Sequence, residues 1–267
     1  MVERLARWIL TGVAVLATGC AALAPDAGRS DVERTWYGGL IALPSEADRP
    51  PTIGLISTLD VTAELANRAP SRRWPVILFL HGCTGLGDSI FPRRMAAAGY
   101  VVVAPDSMAR RFRPLQCDPK EKRGGLNRFV YDFRMTELSF ALHMLRRQPW
   151  VDTDNLFLVG ASEGGVAAAL YRGDAFKARV ITQWTCHGAP LVNGIGAPPS
   201  TPVLAIVRAS DPWYDAAHTK AQSGDCGAFL ADRAGSASIV AGGRTHDVMS
   251  DREIFSRILE FIAAHRT

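Results

Sequence analysis

Apolar residues in this chain follow two rhythms. The first is the short, mostly apolar run, usually closed by Gly, Pro or Asp. It recurs in "WPVILFLHG" (74–82), "YVVVAP" (100–105), "NLFLVGAS" (155–162), "ARVITQWTC" (178–186), "TPVLAIVRASD" (201–211) and "ASIVAGG" (237–243). Runs of this length and closure read as strands buried on both faces. The second rhythm has a spacing of three and four. Leu138, Ala141, Leu142 and Leu145 mark one face of a helix over residues 130–148, and Ile254, Ile258, Phe261 and Ile262 mark the last helix. Ser250 is expected to cap that helix, with Glu253 three positions on. Residues 90–98 and 163–171 complete the expected helices. Upstream, "TWYGGLIAL" (35–43) and "TIGLISTLD" (52–60) read as two further strands, separated by a turn at Pro50-Pro51.

Strands alternating with helices imply a mostly parallel sheet with helices on both faces. No internal repeat, low-complexity tract or linker interrupts residues 31–267, which read as one domain. A polar loop over residues 107–128 carries Arg110, Arg111, Arg113, Lys120, Lys122, Arg123 and Arg128 against Asp118 and Glu121. It reads as a solvated basic loop, or as an attractor for an anionic substrate.

The N-terminal stretch departs from both rhythms. "MVERLARWILTGVAVLATGC" has Arg4 and Arg7, an apolar run from Trp8 to Leu16, then small residues up to Cys20. The run falls short of the roughly 20 residues that span a bilayer. Residues 1–19 therefore read as a signal peptide. Leu16-Ala17-Thr18-Gly19-Cys20 resembles a lipobox, with Cys20 as the acylated mature terminus and residues 20–30 as a tether. The expected location is the bacterial periplasm, as an anchored lipoprotein or a secreted protein, touching membrane only through that anchor. Export permits disulfides. Beyond Cys20 stand Cys83, Cys117, Cys186 and Cys226, which allow three pairings.

Composition narrows the remaining classes. Of 267 residues, 48% are hydrophobic and 21% charged, which suits a globular domain. The net charge of +4, without a block of like charge, gives no footprint for a nucleic-acid partner. No Cys/His cluster has metal-binding spacing, and no metal or organic cofactor is implied.

In a parallel sheet, ligands bind beyond the carboxyl ends of the strands. Ser162, Asp211, His246 and the segment His81-Gly82-Cys83 all fall there. Gly160-x-Ser162-x-Gly164 at a strand-to-helix junction matches a nucleophile elbow, whose sharp turn leaves no room for side chains at the glycines. Ser162 needs a base, and His246, between the last strand and the last helix, is the best placed of six histidines. His143, His265, His187 and His218 are poorer candidates. Asp211 is the expected partner of His246, with Asp215 and Asp225 as rivals. The backbone N–H groups of Glu163 and Cys83 are the expected oxyanion donors, Thr84 being next after Cys83. His81 is expected to bridge loops beneath the site.

With these residues in place, the chain resembles the dienelactone hydrolase branch of the α/β-hydrolase superfamily. The likeness covers roughly residues 74–264 and rests on "FLHGCTG", "GYVVVAPDS", "PWVDTDNLFLVGASEGG", "VRASDPW" and "RTHDV". It implies an eight-stranded α/β-hydrolase sheet, one antiparallel strand near an edge, and Ser162, Asp211 and His246 as the triad. In that fold the third and fourth strands are neighbours, as are the sixth and seventh. This favours the bridges Cys83–Cys117 and Cys186–Cys226. Dienelactone hydrolases proper have Cys at the elbow; Ser162 here favours a serine esterase acting on a small-molecule or short acyl substrate. The segment 187–200 is too short for a lid domain. A small peptidase or amidase with the same triad, and a non-catalytic envelope lipoprotein using the fold as a binding scaffold, are the alternatives.

Overall fold

The computed structural model describes residues 28–45, 49–69, 71–125, 127, 129–188, 193–215 and 223–267. The expected signal peptide, Cys20, most of the tether, Arg128 and His218 lie outside them. In chain order the elements are α1 (Asp31–Tyr37), β1 (Leu40–Leu43), β2 (Thr52–Leu55), α2 (Val61–Arg68), β3 (Trp74–Leu80), α3 (Ile90–Ala97) and β4 (Val101–Ala104). Next come β5 (Cys117–Asp118), β6 (Arg123–Gly124), α4 (Phe129–Arg146), β7 (Val151–Ala161), α5 (Glu163–Leu170) and β8 (Ala178–Thr182). The last are β9 (Val203–Arg208), α6 (Pro212–Asp215), β10 (Ala237–Ala241) and α7 (Arg252–Ala264).

Eight strands form one sheet in the order β10-β9-β8-β7-β3-β4-β1-β2. β1 runs antiparallel to both its neighbours, and the other pairs are parallel. This is the α/β-hydrolase architecture expected from the sequence. Side chains of β3 alternate between the faces. Val76, Leu78 and Leu80 pack with Leu138, Leu142 and Leu145 of α4, while Ile77 and Phe79 pack with Met95 of α3 and Ile258 of α7. Every residue of β3, β4 and β8 is buried, which explains the unbroken apolar runs of β3 and β4, while β8 also buries Arg179 and Thr182. Between β8 and β9 the described residues hold no helix.

Three local expectations are corrected. Thr35-Trp36-Tyr37 was expected to be strand but closes helix α1. Burial of Arg34 and Trp36 outweighs the strand propensity of those residues. The strand starting at Thr52 stops at Leu55, and helix α2 follows, with the Asp60 carboxylate accepting the Ala63 N–H at 3.0 Å. Asp251, and not Ser250, caps α7: its carboxylate accepts the N–H groups of Glu253 and Ile254.

Candidate active site

β7 ends at Ala161 and α5 begins at Glu163, so Ser162 alone makes the turn. Its φ of 56° and ψ of −116° lie where side-chain-bearing residues are rarely found. The surroundings fix this strained geometry: the Ser162 N–H donates to Thr182 O at 2.9 Å, and Ser162 O accepts the Val166 N–H at 3.0 Å. A Cβ at Gly160 would stand 2.1 Å from Gly164 O, and one at Gly164 would stand 2.0 Å from Leu80 O. The Gly-x-Ser-x-Gly spacing is thus a steric requirement of strand and helix packing this closely.

Two loops from the same sheet edge complete the arrangement. His246, in the turn between β10 and α7, has Nε2 2.9 Å from Ser162 Oγ. Its Nδ1 lies 2.7 Å from Asp211 Oδ2, just past β9. Asp211 is buried, and its other oxygen accepts the Trp213 N–H at 2.9 Å. With a neutral imidazole, the carboxylate accepts a hydrogen bond from Nδ1–H, which leaves Nε2 as acceptor for the serine hydroxyl. Trp213 stacks on the imidazole with centroids 5.0 Å apart, and Tyr214 meets it edge-on at 6.0 Å. The Tyr214 hydroxyl donates to Gln183 O and is held protonated by burial, its pKa pushed well up.

Cys83 and Glu163 both line the hollow into which Ser162 opens. Glu163 is the first residue of α5, where helix geometry leaves N–H groups without an intrahelical acceptor. The Gly82 backbone passes close enough that a Cβ there would sit 3.4 Å from Ser162 Cβ. Thr84 lines a second, larger hollow that also opens on Ser162. Disulfides join Cys83 to Cys117, with Cα atoms 6.0 Å apart, and Cys186 to Cys226, at 5.1 Å. These are the pairings the fold resemblance implies, and they are consistent with an exported protein.

A Ser–His–Asp hydrogen-bonded chain at this sheet edge can be compared with known proteins. The family model described as dienelactone hydrolase family matches residues 61–223. The chain belongs to this family. The match takes in Ser162 and Asp211 and ends before His246. No curated protein matches the chain. Among solved structures, it is similar to esterase PE8, with 16% identity, 73% of this chain and 94% of that one covered, and a TM-score of 0.52. A phospholipase/carboxylesterase from Dyadobacter fermentans gives 15% identity, coverage of 72% and 91%, and a TM-score of 0.51. A hyperthermophilic esterase from Pyrobaculum calidifontis gives 16% identity, 88% coverage of each chain, and a TM-score of 0.49. At these identities the likeness is one of fold.

The other candidates in this dienelactone hydrolase family member lie elsewhere. His143 is exposed on α4, and His265 bonds Phe261 O. His187 Nε2 lies 3.1 Å from Asp225 O, which pairs two of the rejected residues with each other. The side chain of Asp215 is outside the described residues. His81 is buried and lies under the site. Its Nε2 accepts the Ser107 N–H at 2.9 Å, so Nδ1 carries the proton and donates to Gly82 O at 2.6 Å. Burial first, and then the Arg134 charge, push its pKa well below 6.5. Asp106 Oδ1, 3.6 Å away, therefore faces a neutral ring and forms no ion pair with it.

Sequence reasoning missed the ion network behind the elbow. Arg113 donates to Glu163 Oε1 at 2.6 Å and to Ser107 Oγ at 2.8 Å. Arg110 donates to Glu137 Oε1 at 2.7 Å, and the wholly buried Arg134 stands between Glu137, at 3.4 Å, and Glu163, at 3.6 Å. Two arginines of the basic loop thus turn inward onto buried carboxylates. Arg111, Lys120, Lys122 and Arg123 remain exposed. The sequence gives one faint signal: Arg134 and Glu137 sit three apart on the helix, Glu137 within the apolar face that carries Leu138 and Ala141.

Proposed function

We propose that the protein is a serine esterase working through an acyl-enzyme. Membership of a hydrolase family supports the reaction class. The observation that carries the finer reading is the chain of contacts from Asp211 through His246 to a strained Ser162 at the turn from β7 to α5.

Ser162 Oγ attacks the ester carbonyl carbon while His246 Nε2 takes its proton, and Asp211 stabilises the resulting imidazolium. The carbonyl oxygen, now an oxyanion, accepts the N–H groups of Cys83 and Glu163; a donor of this kind is worth about 10²–10³ in rate. His246 returns its proton to the departing alkoxide, leaving the acyl group on Ser162. A water then enters, gives a proton to His246 and attacks the acyl carbon. Collapse of the second tetrahedral species frees the acid and restores the serine hydroxyl.

Hydrolysis of 4-nitrophenyl acetate tests this reading. Ser162→Ala and His246→Ala are expected to lower kcat by about 10³-fold or more while the fold persists. Wild-type turnover retained in Ser162→Ala would overturn it. The reading extends to location: residues 1–19 direct export, and Cys20 carries the lipid. Mass spectrometry of the mature protein distinguishes an acylated Cys20 from a plain cleaved terminus.

A further inference from the structure

Two hollows open from the Ser162–His246 pair, and they differ in size and walls. The larger, about 310 Å³, runs beneath the loop from His81 to Pro92 and has Asp88, Asp247 and Ser250 among its lining residues. The smaller, about 50 Å³, is walled by the rings of Tyr131, Trp184 and Trp213, by Val166 and by the Cys83–Cys117 bridge. A water molecule needs about 10–15 Å³ on such a measure, so the smaller hollow has room for about three to five non-hydrogen atoms. An acyl carbonyl oxygen placed on the Glu163 and Cys83 N–H groups starts its chain beside Glu163. Glu163 lines the smaller hollow and not the larger.

The wall of the smaller hollow also contains a polar group that the fold does not fully use. Gln116 lines it and is 2% exposed. Its Oε1 accepts the Asn127 N–H at 3.1 Å, which assigns the hydrogens to Nε2. Nε2 is buried and has no well-formed acceptor. Its amide interacts with the Tyr131 phenol, which also lines the hollow and is kept protonated by burial. A buried donor without a well-formed acceptor is costly, and an incoming oxygen lowers that cost. The nearby cations do not call for an anion, because Arg113 and Arg134 already face Glu163 and Glu137.

We propose that the smaller hollow is the acyl pocket. It selects a short, uncharged acyl group ending in a hydroxyl or carbonyl oxygen, which Gln116 and Tyr131 recognise. This rests on the acyl-enzyme reading of Ser162. The larger hollow takes the leaving alcohol. Val166 sets the depth of the acyl pocket, and Gln116 sets its preference for oxygen.

The test compares kcat/KM for the 4-nitrophenyl esters of butanoate, 3-hydroxybutanoate and octanoate, beside fluorophosphonate labelling of the same preparation. The expected result is 3-hydroxybutanoate preferred over butanoate by about tenfold or more, with octanoate the poorest. In Gln116→Met the hydroxyl preference is expected to fall to about one. Val166→Ala is expected to raise the octanoate-to-butanoate ratio and keep the hydroxyl preference. If Gln116→Met does not fold, Tyr131→Phe is expected to lower the same ratio. A wild type that takes octanoate as readily as butanoate, or shows no hydroxyl preference, overturns the pocket assignment. So does a Gln116→Met that keeps the wild-type ratio. Labelling without hydrolysis of any of the three esters overturns the pocket and leaves the nucleophile standing. Absence of both labelling and hydrolysis overturns the acyl-enzyme reading itself.

Discussion

The elbow at Ser162 and the arginine-bearing loop after β4 meet at one residue, Glu163, and are held there by different physics. The elbow is fixed by backbone packed against backbone, with glycines where any Cβ would fall 2.0–2.1 Å from a carbonyl oxygen. The loop is fixed by buried charge and a covalent bridge: Arg110 and Arg113 on Glu137 and Glu163, and Cys117 on Cys83. The first device leaves no room for a side chain at either glycine. The second joins residues 27 to 50 positions apart and should respond in a graded way to loss of each partner.

The sharpest break in that contrast is Gly164→Ala. The new methyl has no room against Leu80 O, and the expected loss exceeds about 4 kcal/mol of stability in urea unfolding, or folding fails outright. A loss below 1 kcal/mol would mean that the elbow is looser than its geometry implies. Arg134→Met comes next. It leaves Glu137 and Glu163 short of a buried partner, and about 3–5 kcal/mol is the expected cost. Opening the first bridge with Cys83→Ser and Cys117→Ser together should cost about 2–4 kcal/mol, most of it by freeing the unfolded chain. Stability of this variant matching the oxidised wild type would show that the ion network alone holds the loop.

The smallest effect concerns His81, which supports both regions. Its folded pKa lies below 6.5, so the unfolded chain binds its proton first as pH falls. The contribution of neutral His81 is therefore complete above pH 6.5 and is lost as pH falls from there through the folded value. The slope is at most about 1.4 kcal/mol per pH unit. Urea unfolding at a series of pH values should show this slope in the wild type and lose it in His81→Gln.

The same contrast explains what the sequence disclosed. The sheet was legible because β3 and β4 are buried along their whole length and leave no polar residue to blur the run; β8, equally buried, reads less cleanly because it carries Arg179 and Thr182. Ser162, Asp211 and His246 were legible as candidates because each stands just past a strand, in an order the elbow anchors. The disulfides became legible only through the fold, since four cysteines alone permit three pairings. The ion network was not legible: Arg113 and Lys120 look alike in a basic loop, and only the folded chain turns one onto Glu163 and leaves the other exposed. Helix α1 was misread because Thr35-Trp36-Tyr37 has strand propensity, and the burial that overrides it is nonlocal.

The proposed chemistry stands on an activated Ser162. Its most direct test is fluorophosphonate treatment of the folded, oxidised protein, followed by peptide mapping. One adduct is expected on the peptide carrying Ser162, absent in Ser162→Ala and strongly slowed in His246→Ala. An unlabelled wild type, or an adduct on another serine, would contradict it.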